Sequence, residues 1–154
     1  MNELDAYDIA ILRSLQEDCT RSGAALAAIV GLSQPACWRR VQRLREQGYV
    51  RKETALLSRE KLGYGTLIYA LVKLSAAGRA NVGRFTEAIR ALPEVIECHA
   101  LMGAADFLLK IVAADIHAYE QFFFEKLSPL EGVQDITSSI ALSEVKGQLG
   151  GLPI

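Results

Sequence analysis

Between Leu4 and Leu44 the apolar positions recur at helical spacing in three short blocks. Ile9, Ile11, Leu12 and Leu15 form the first, after an Asp5 that suits an N-cap. Asp8, three residues on, either favours the positive helix end or pairs with an arginine of the third block, such as Arg40. The sequence leaves both roles open. This helix should end near Asp18. Leu26, Ala27 and Val30 form the second block, and Gly31-Leu32-Ser33 breaks it, because glycine takes the left-handed conformation that ends a helix. Ser33 suits an N-cap and Pro35 a first turn. Cys37, Val41 and Leu44 then recur at i, i+4 and i+7. The pattern predicts three helices around one small core. Gly48 should stop the third. Tyr49 to Leu57 reads as extended, forming the short hairpin of a winged helix-turn-helix.

The stretch SREKLGYG, residues 58–65, is polar and punctuated by glycine, as a junction between domains is. Beyond it the period changes. Leu67–Leu74 reads as a strand, apolar on both faces. Arg79–Leu92 reads as a helix with Val82, Phe85, Ala88, Ile89 and Leu92 on one side and Pro93 past its end. Val95–Met102 and Asp106–Ala113 read as strands around a Gly103-Ala104-Ala105 turn, Ile116–Leu127 as a second helix, and Val133–Leu142 as a last strand. The order β-α-β-β-α-β is that of a ferredoxin-like sandwich with helices on one sheet face. The predicted fold is therefore α+β: a winged helix-turn-helix over residues 1–52, a wing end and hinge over 53–65, a βαββαβ domain over 66–146, and a tail over 147–154. Leu67, Tyr69, Leu71, Val95 and Phe107 are expected on the bare sheet face, too many apolar residues to leave in water.

The third helix carries the candidate chemistry. Arg39 points almost directly away from the Cys37–Val41–Leu44 stripe, with Pro35, Gln42 and Arg43 on the same side and Trp38 and Arg45 on one flank. A helix with a small apolar back and an arginine-rich front suits the DNA major groove. The candidate DNA-reading set is Ser33, Gln34, Trp38, Arg39, Gln42, Arg43 and Arg45. Charge strengthens this reading. Arg39, Arg40, Arg43, Arg45, Arg51 and Lys52 face one acid, Glu46, between residues 39 and 52, while the whole chain carries −1. A local basic patch on a near-neutral chain is the footprint of a phosphate-binding face.

Composition narrows the remaining classes. At 51% hydrophobic and 23% charged, the chain has the balance of a globular protein. No apolar run approaches the ~20 residues of a membrane span, so no membrane partner is expected. MNELDAYD lacks the basic-then-apolar order of a signal peptide. Cys19, Cys37 and Cys98 are scattered and form no CxxC, which argues against a disulfide framework and against zinc, and a cytoplasmic location is expected. His99 and His117 show no metal spacing, so neither metal nor cofactor is expected. An enzyme is not expected either. The adjacent Cys98 and His99 in a strand point to opposite faces and cannot act on each other.

Five blocks, in order, make the chain resemble the Lrp/AsnC (feast/famine) family of transcription regulators. They are LDAYDIAILRSLQEDCTRS, LAAIVGLSQPACWRRVQRLREQGYV, REKLGYG, LPEVIECHALMGAADFLLKI and GVQDITSSIALSEVK. The resemblance implies an N-terminal reading head for double-stranded DNA and a C-terminal domain that binds a small amino-acid effector at a subunit interface. It implies homodimers joined through that domain, often an octamer of four dimers. It places the effector at Met102, Gly103, Ala104, Ala105 and Asp106, with Thr137, Ser138 and Ser139 on the last strand. On physical grounds Gly103 permits close approach to backbone amides and Asp106 offers a carboxylate to an α-ammonium group. The plainer reading is a hairpin turn at Gly103 capped by Asp106, with Thr137–Ser139 simply exposed on a strand. A twofold dimer would call for inverted-repeat operators. The alternative function is an effector-independent architectural DNA-binding protein, identical in its head and different only at the pocket.

Overall fold

The computed structural model describes residues 4–146 and 152–154. The chain divides into two compact units, residues 1–56 with 145–154, and residues 57–144. The sequence-read tail lies outside the described residues from 147 to 151.

In the first unit three helices run Ala6–Glu17 (α1), Gly23–Val30 (α2) and Gln34–Glu46 (α3). Asp5 caps α1 in a capping box, accepting from Asp8 N–H while the Asp8 side chain accepts from Asp5 N–H. Ser22 caps α2, and Gly31 ends it at φ +71°, where only a residue without Cβ sits without strain. Ile11, Leu26, Ala27, Val30, Cys37, Val41 and Leu44 are buried together, so the predicted stripe of α3 is the back of one small core. The segment 152–154 belongs to this unit. The Gln16 amide both donates to Leu152 O at 2.9 Å and accepts from Leu152 N–H at 2.8 Å, and Arg13 donates to Ile154 O.

The hairpin wing predicted after α3 is not found among the described residues. Residues 51–58 carry no strand pairing. The β-forming residues there have no partner strand among the described residues, and Leu56 and Leu57 stay exposed.

The second unit is a four-stranded antiparallel sheet with helices on one face. Its strands are Thr66–Leu74 (β1), Val95–Ala100 (β2), Phe107–Ala113 (β3) and Val133–Ile140 (β4), in the order β2-β3-β1-β4. The helices are Ala76–Ala80 (α4), Val82–Arg90 (α5) and Ile116–Phe122 (α6), which continues as a π-helical turn over Phe123–Leu127. The single helix expected over 79–92 is thus two. Asn81, at φ −121° and ψ 38°, interrupts it. Gly78 is pressed against the β4 approach, where a Cβ would lie 2.3 Å from Gly132 O.

Ile68, Ala70, Val72 and Leu74 of β1 and Phe107, Leu109 and Ile111 of β3 face the helices and meet Phe85, Ile89, Tyr119, Phe122 and Leu127. Phe107 therefore belongs to this core, its ring 4.8 Å from that of Phe85, and Val95 packs against the same cluster. Both were expected on the open face. Phe107 pairs with Val72, so strand alternation sends it to the helices, and Val95 stands opposite the buried Ile111. Tyr69 and Leu71, as predicted, remain exposed on the open face, whereas Leu67 is buried. Among the described residues no helix is long and apolar enough to cross a membrane.

Candidate nucleic-acid interface and effector site

The front of α3 is open over its first turns and partly covered beyond them. Gln34, Pro35, Trp38 and Arg39 are exposed, and Gln42, Arg43 and Arg45 half-buried. Trp38 leaves 57% of its surface in solvent, a large apolar side chain that the core does not need. Ser33 sits at the N-cap of α3 but makes no side-chain capping bond, so its hydroxyl is open to an external acceptor such as a phosphate. Arg39 forms no ion pair among the described residues.

The other arginines of α3 are engaged. Arg40 Nη1 lies 2.6 Å from Asp5 and 2.9 Å from Asp8, and its guanidinium stands 5.4 Å from the centre of the Tyr7 ring. Arg43 Nη2 lies 2.6 Å from the other oxygen of Asp8. Arg45 holds Glu53 at 2.5 Å. Asp8 is 1% exposed, so its charge is compensated by two guanidinium groups and the Asp5 N–H. Both roles open for Asp8 in the sequence are filled at once. The Asp8 N–H and the Arg40 guanidinium hold the Asp5 carboxyl below its ordinary value, and Asp5 with Asp8 raises that of Arg40. Sequence reasoning missed Asp5 and Glu53 as charge partners of the DNA face. Their acidic type against an arginine-rich helix was the available signal, but no local spacing brings residues 5 and 40 together.

The candidate effector residues split between two environments. Met102, Gly103 and Ala104 are exposed, and Ala105 and Asp106 half-buried. The backbone N–H groups of Met102 to Ala105 bond to no other described residue. Asp106 engages one carboxylate oxygen, Oδ2, and both backbone groups. Its carboxylate accepts Leu74 N–H at 2.7 Å and lies 3.7 Å from Arg79, its N–H donates to Val72 O, and its carbonyl accepts from Leu101 N–H. On β4, Ser138 stands opposite Ala70 and meets Tyr119 Oη at 2.5 Å, on the helix side. Thr137 and Ser139 pair with Leu71 and Tyr69 and lie exposed on the open face. The same face carries a chain of charge across β2 and β3. Lys110 Nζ lies 2.9 Å from Glu97, and His99 3.3 Å from it. Burial pushes Glu97 up, but hydrogen bonds from Lys110 and His99 outweigh it and hold the carboxyl below its ordinary value.

One groove of about 420 Å³ opens between α5 and β2, lined by Thr86, Arg90, Cys98 and Phe107 among others. It includes none of the DNA-reading or effector residues read from the sequence. No group of three or more His, Cys, Asp or Glu among the described residues could hold a metal.

Comparison with known proteins agrees with this division of labour. The AsnC-type helix-turn-helix domain matches residues 4–45 and the Lrp/AsnC ligand binding domain residues 67–149. The chain belongs to the Lrp/AsnC family. Its Lrp/AsnC relatives are named as regulators of transcription. The transcriptional regulator AzlB of Bacillus subtilis is 38% identical over 93% of this chain and 91% of its own. The proline dehydrogenase transcriptional activator of Rhizobium radiobacter is 37% identical over 94% of this chain and 93% of its own. A transcriptional regulator of Neisseria meningitidis, solved as a complex with L-methionine, superposes with a TM-score of 0.90 at 37% identity, covering 94% of both chains. This protein is thus an Lrp/AsnC-type transcriptional regulator, with a helix-turn-helix head and a ligand-binding domain.

Proposed function

We propose that the chain binds inverted-repeat operators through Ser33, Gln34, Trp38, Arg39, Gln42, Arg43 and Arg45, as a homodimer joined through the open sheet face. A small amino acid binds beside the turn 102–105 and changes the assembly that carries the heads. The observation that carries the effector reading is the L-methionine complex of the Neisseria regulator, which shares this fold over nearly the whole chain. The free N–H groups of Met102 to Ala105 suit an α-carboxylate, and Thr137 and Ser139 supply hydroxyls on the exposed face. The second carboxylate oxygen of Asp106 suits the ligand's ammonium group, while Oδ2 stays on the Leu74 N–H.

A ligand at a subunit interface shifts assembly only by its difference in affinity between arrangements. Dimers, octamers of four dimers, and a cytoplasmic place of work follow from this reading. The relatives' regulatory names support a regulator rather than an enzyme. A competing reading, an architectural DNA binder without effector, would leave the Asp106 carboxylate only its bond to Leu74 N–H and its contact with Arg79. Thermal shift and sedimentation across the proteinogenic amino acids at millimolar concentration decide between them. A shift with one or a few amino acids, lost in Thr137→Ala with Ser139→Ala, is expected. No response to any amino acid would leave the architectural reading standing.

A further inference from the structure

The geometry points to a restraint on sequence-independent DNA binding. Asp5, Asp8 and Glu53 hold Arg40, Arg43 and Arg45 against the head and so limit how many guanidinium groups of α3 can follow phosphates. Three carboxylates answer three arginines, at 2.5–2.9 Å. Asp8 is the centre, buried and bridging the two arginines one helical turn apart. Arg43 Nε is buried without a hydrogen-bond partner, so the Asp8 contact, and not its own best bonding, sets where this side chain lies. Among the described residues, only Arg39 of the α3 arginines stands without an ion pair.

The consequence follows from how charge acts on DNA. A cation free to meet phosphates releases counterions on any sequence and steepens the fall of affinity with salt by about 0.9 per contact. A guanidinium fixed by a carboxylate has less charge to give and fewer positions to give it in. It can still donate from its remaining N–H groups where the groove presents an acceptor at the right place. Such a head loses affinity for arbitrary DNA more than for its own site. That ratio, multiplied over the many non-specific sites of a genome, decides occupancy. Asp8 is in this sense a positioning residue that acts through Arg40 and Arg43.

The test uses the full chain and two probes: a short duplex enriched from a random library by the wild-type protein, and a scrambled duplex of the same composition. Asp8→Asn and Asp5→Asn keep a capping oxygen while removing the charge. Glu53→Gln lies in a segment without secondary structure and puts no helix at risk. Each variant should bind the scrambled duplex more tightly than wild type does. The slope of log affinity against log salt should steepen by about one, so that raising salt from about 50 to 200 mM costs roughly fourfold more. The preference for the enriched duplex should fall. A merely structural role moves none of these in that direction. Should Asp8→Asn fail to fold, Glu53→Gln and Asp5→Asn still decide. Unchanged slopes, or affinities for both probes that fall together, would overturn the proposal.

Discussion

The Asp106 carboxylate accepts the backbone N–H of Leu74 at 2.7 Å, across thirty-two positions of sequence. This bond closes the end of β1 on the turn before β3, and Arg79 at 3.7 Å adds a weaker charge contact. Asp106 is therefore a latch in the sheet. Asp106→Ala should destabilise the ligand-binding domain by about 1.5–3 kcal/mol, the range for a hydrogen bond to a charged group. Asp106→Asn, which keeps an acceptor, should lose less. Urea titration of both variants against wild type checks this. Equal midpoints for all three would remove the latch.

Arg39→Ala should weaken binding to an enriched duplex by about 1–3 kcal/mol, as loss of a base-edge contact does, with a smaller loss on scrambled DNA. Without an ion pair among the described residues, it is the arginine of α3 with most to give to a base. Gel-shift titration on both probes separates this from phosphate contact, which would weaken both duplexes alike and lower the salt slope by about one.

The order of elements and the buried stripe of α3 were legible because they are periodic. Cys37, Val41 and Leu44 repeat every turn, and Leu67–Leu74 reads as β from its residue types alone. What escaped was set by partners distant in sequence. Whether Phe107 faces the helices or the open side depends on its register with Val72. The slip at Ile96, where Val95 pairs with Ile111 and Glu97 with Lys110, is invisible without β3 beside it. The same holds at the candidate sites. Arg43 and Arg45 read from spacing as free cations of the α3 front, yet their carboxylate partners come from α1 and from the segment after α3. The TSS run was read as one unit, but a strand sends Ser138 to Tyr119 and its neighbours the other way.

Cys37 is 1% exposed, and burial raises its thiol above the ordinary value, which lowers the thiolate fraction that reacts. Cys98 is exposed, and although burial raises its thiol too, the Arg90 charge works against that rise. A bulky maleimide should label Cys98 in the native protein and reach Cys37 only on unfolding. Mass spectrometry of a labelling time course gives the order. Cys37→Ser, which brings a hydroxyl into the Val41–Leu44 core, should cost about 1–3 kcal/mol.

The Glu97–Lys110 pair on the open face sets a pH window. The folded Glu97 carboxyl titrates below its unfolded value, so its contribution to stability is complete above about pH 4.3 and disappears as pH falls through the folded value. The Lys110 ammonium, raised by its hydrogen bond to Glu97 against the opposing effect of burial, contributes fully below about pH 10.4 and loses that contribution as pH rises through its folded value. The pair should therefore stabilise across neutral pH and fail at both ends. Glu97→Gln removes the acid limb and weakens the alkaline one, because Lys110 keeps a hydrogen-bond acceptor but loses the charge. Urea midpoints measured from pH 3 to 11 on wild type and Glu97→Gln should converge at low pH and diverge near neutrality. Curves that stay parallel over the whole range would show that the pair contributes nothing to folding.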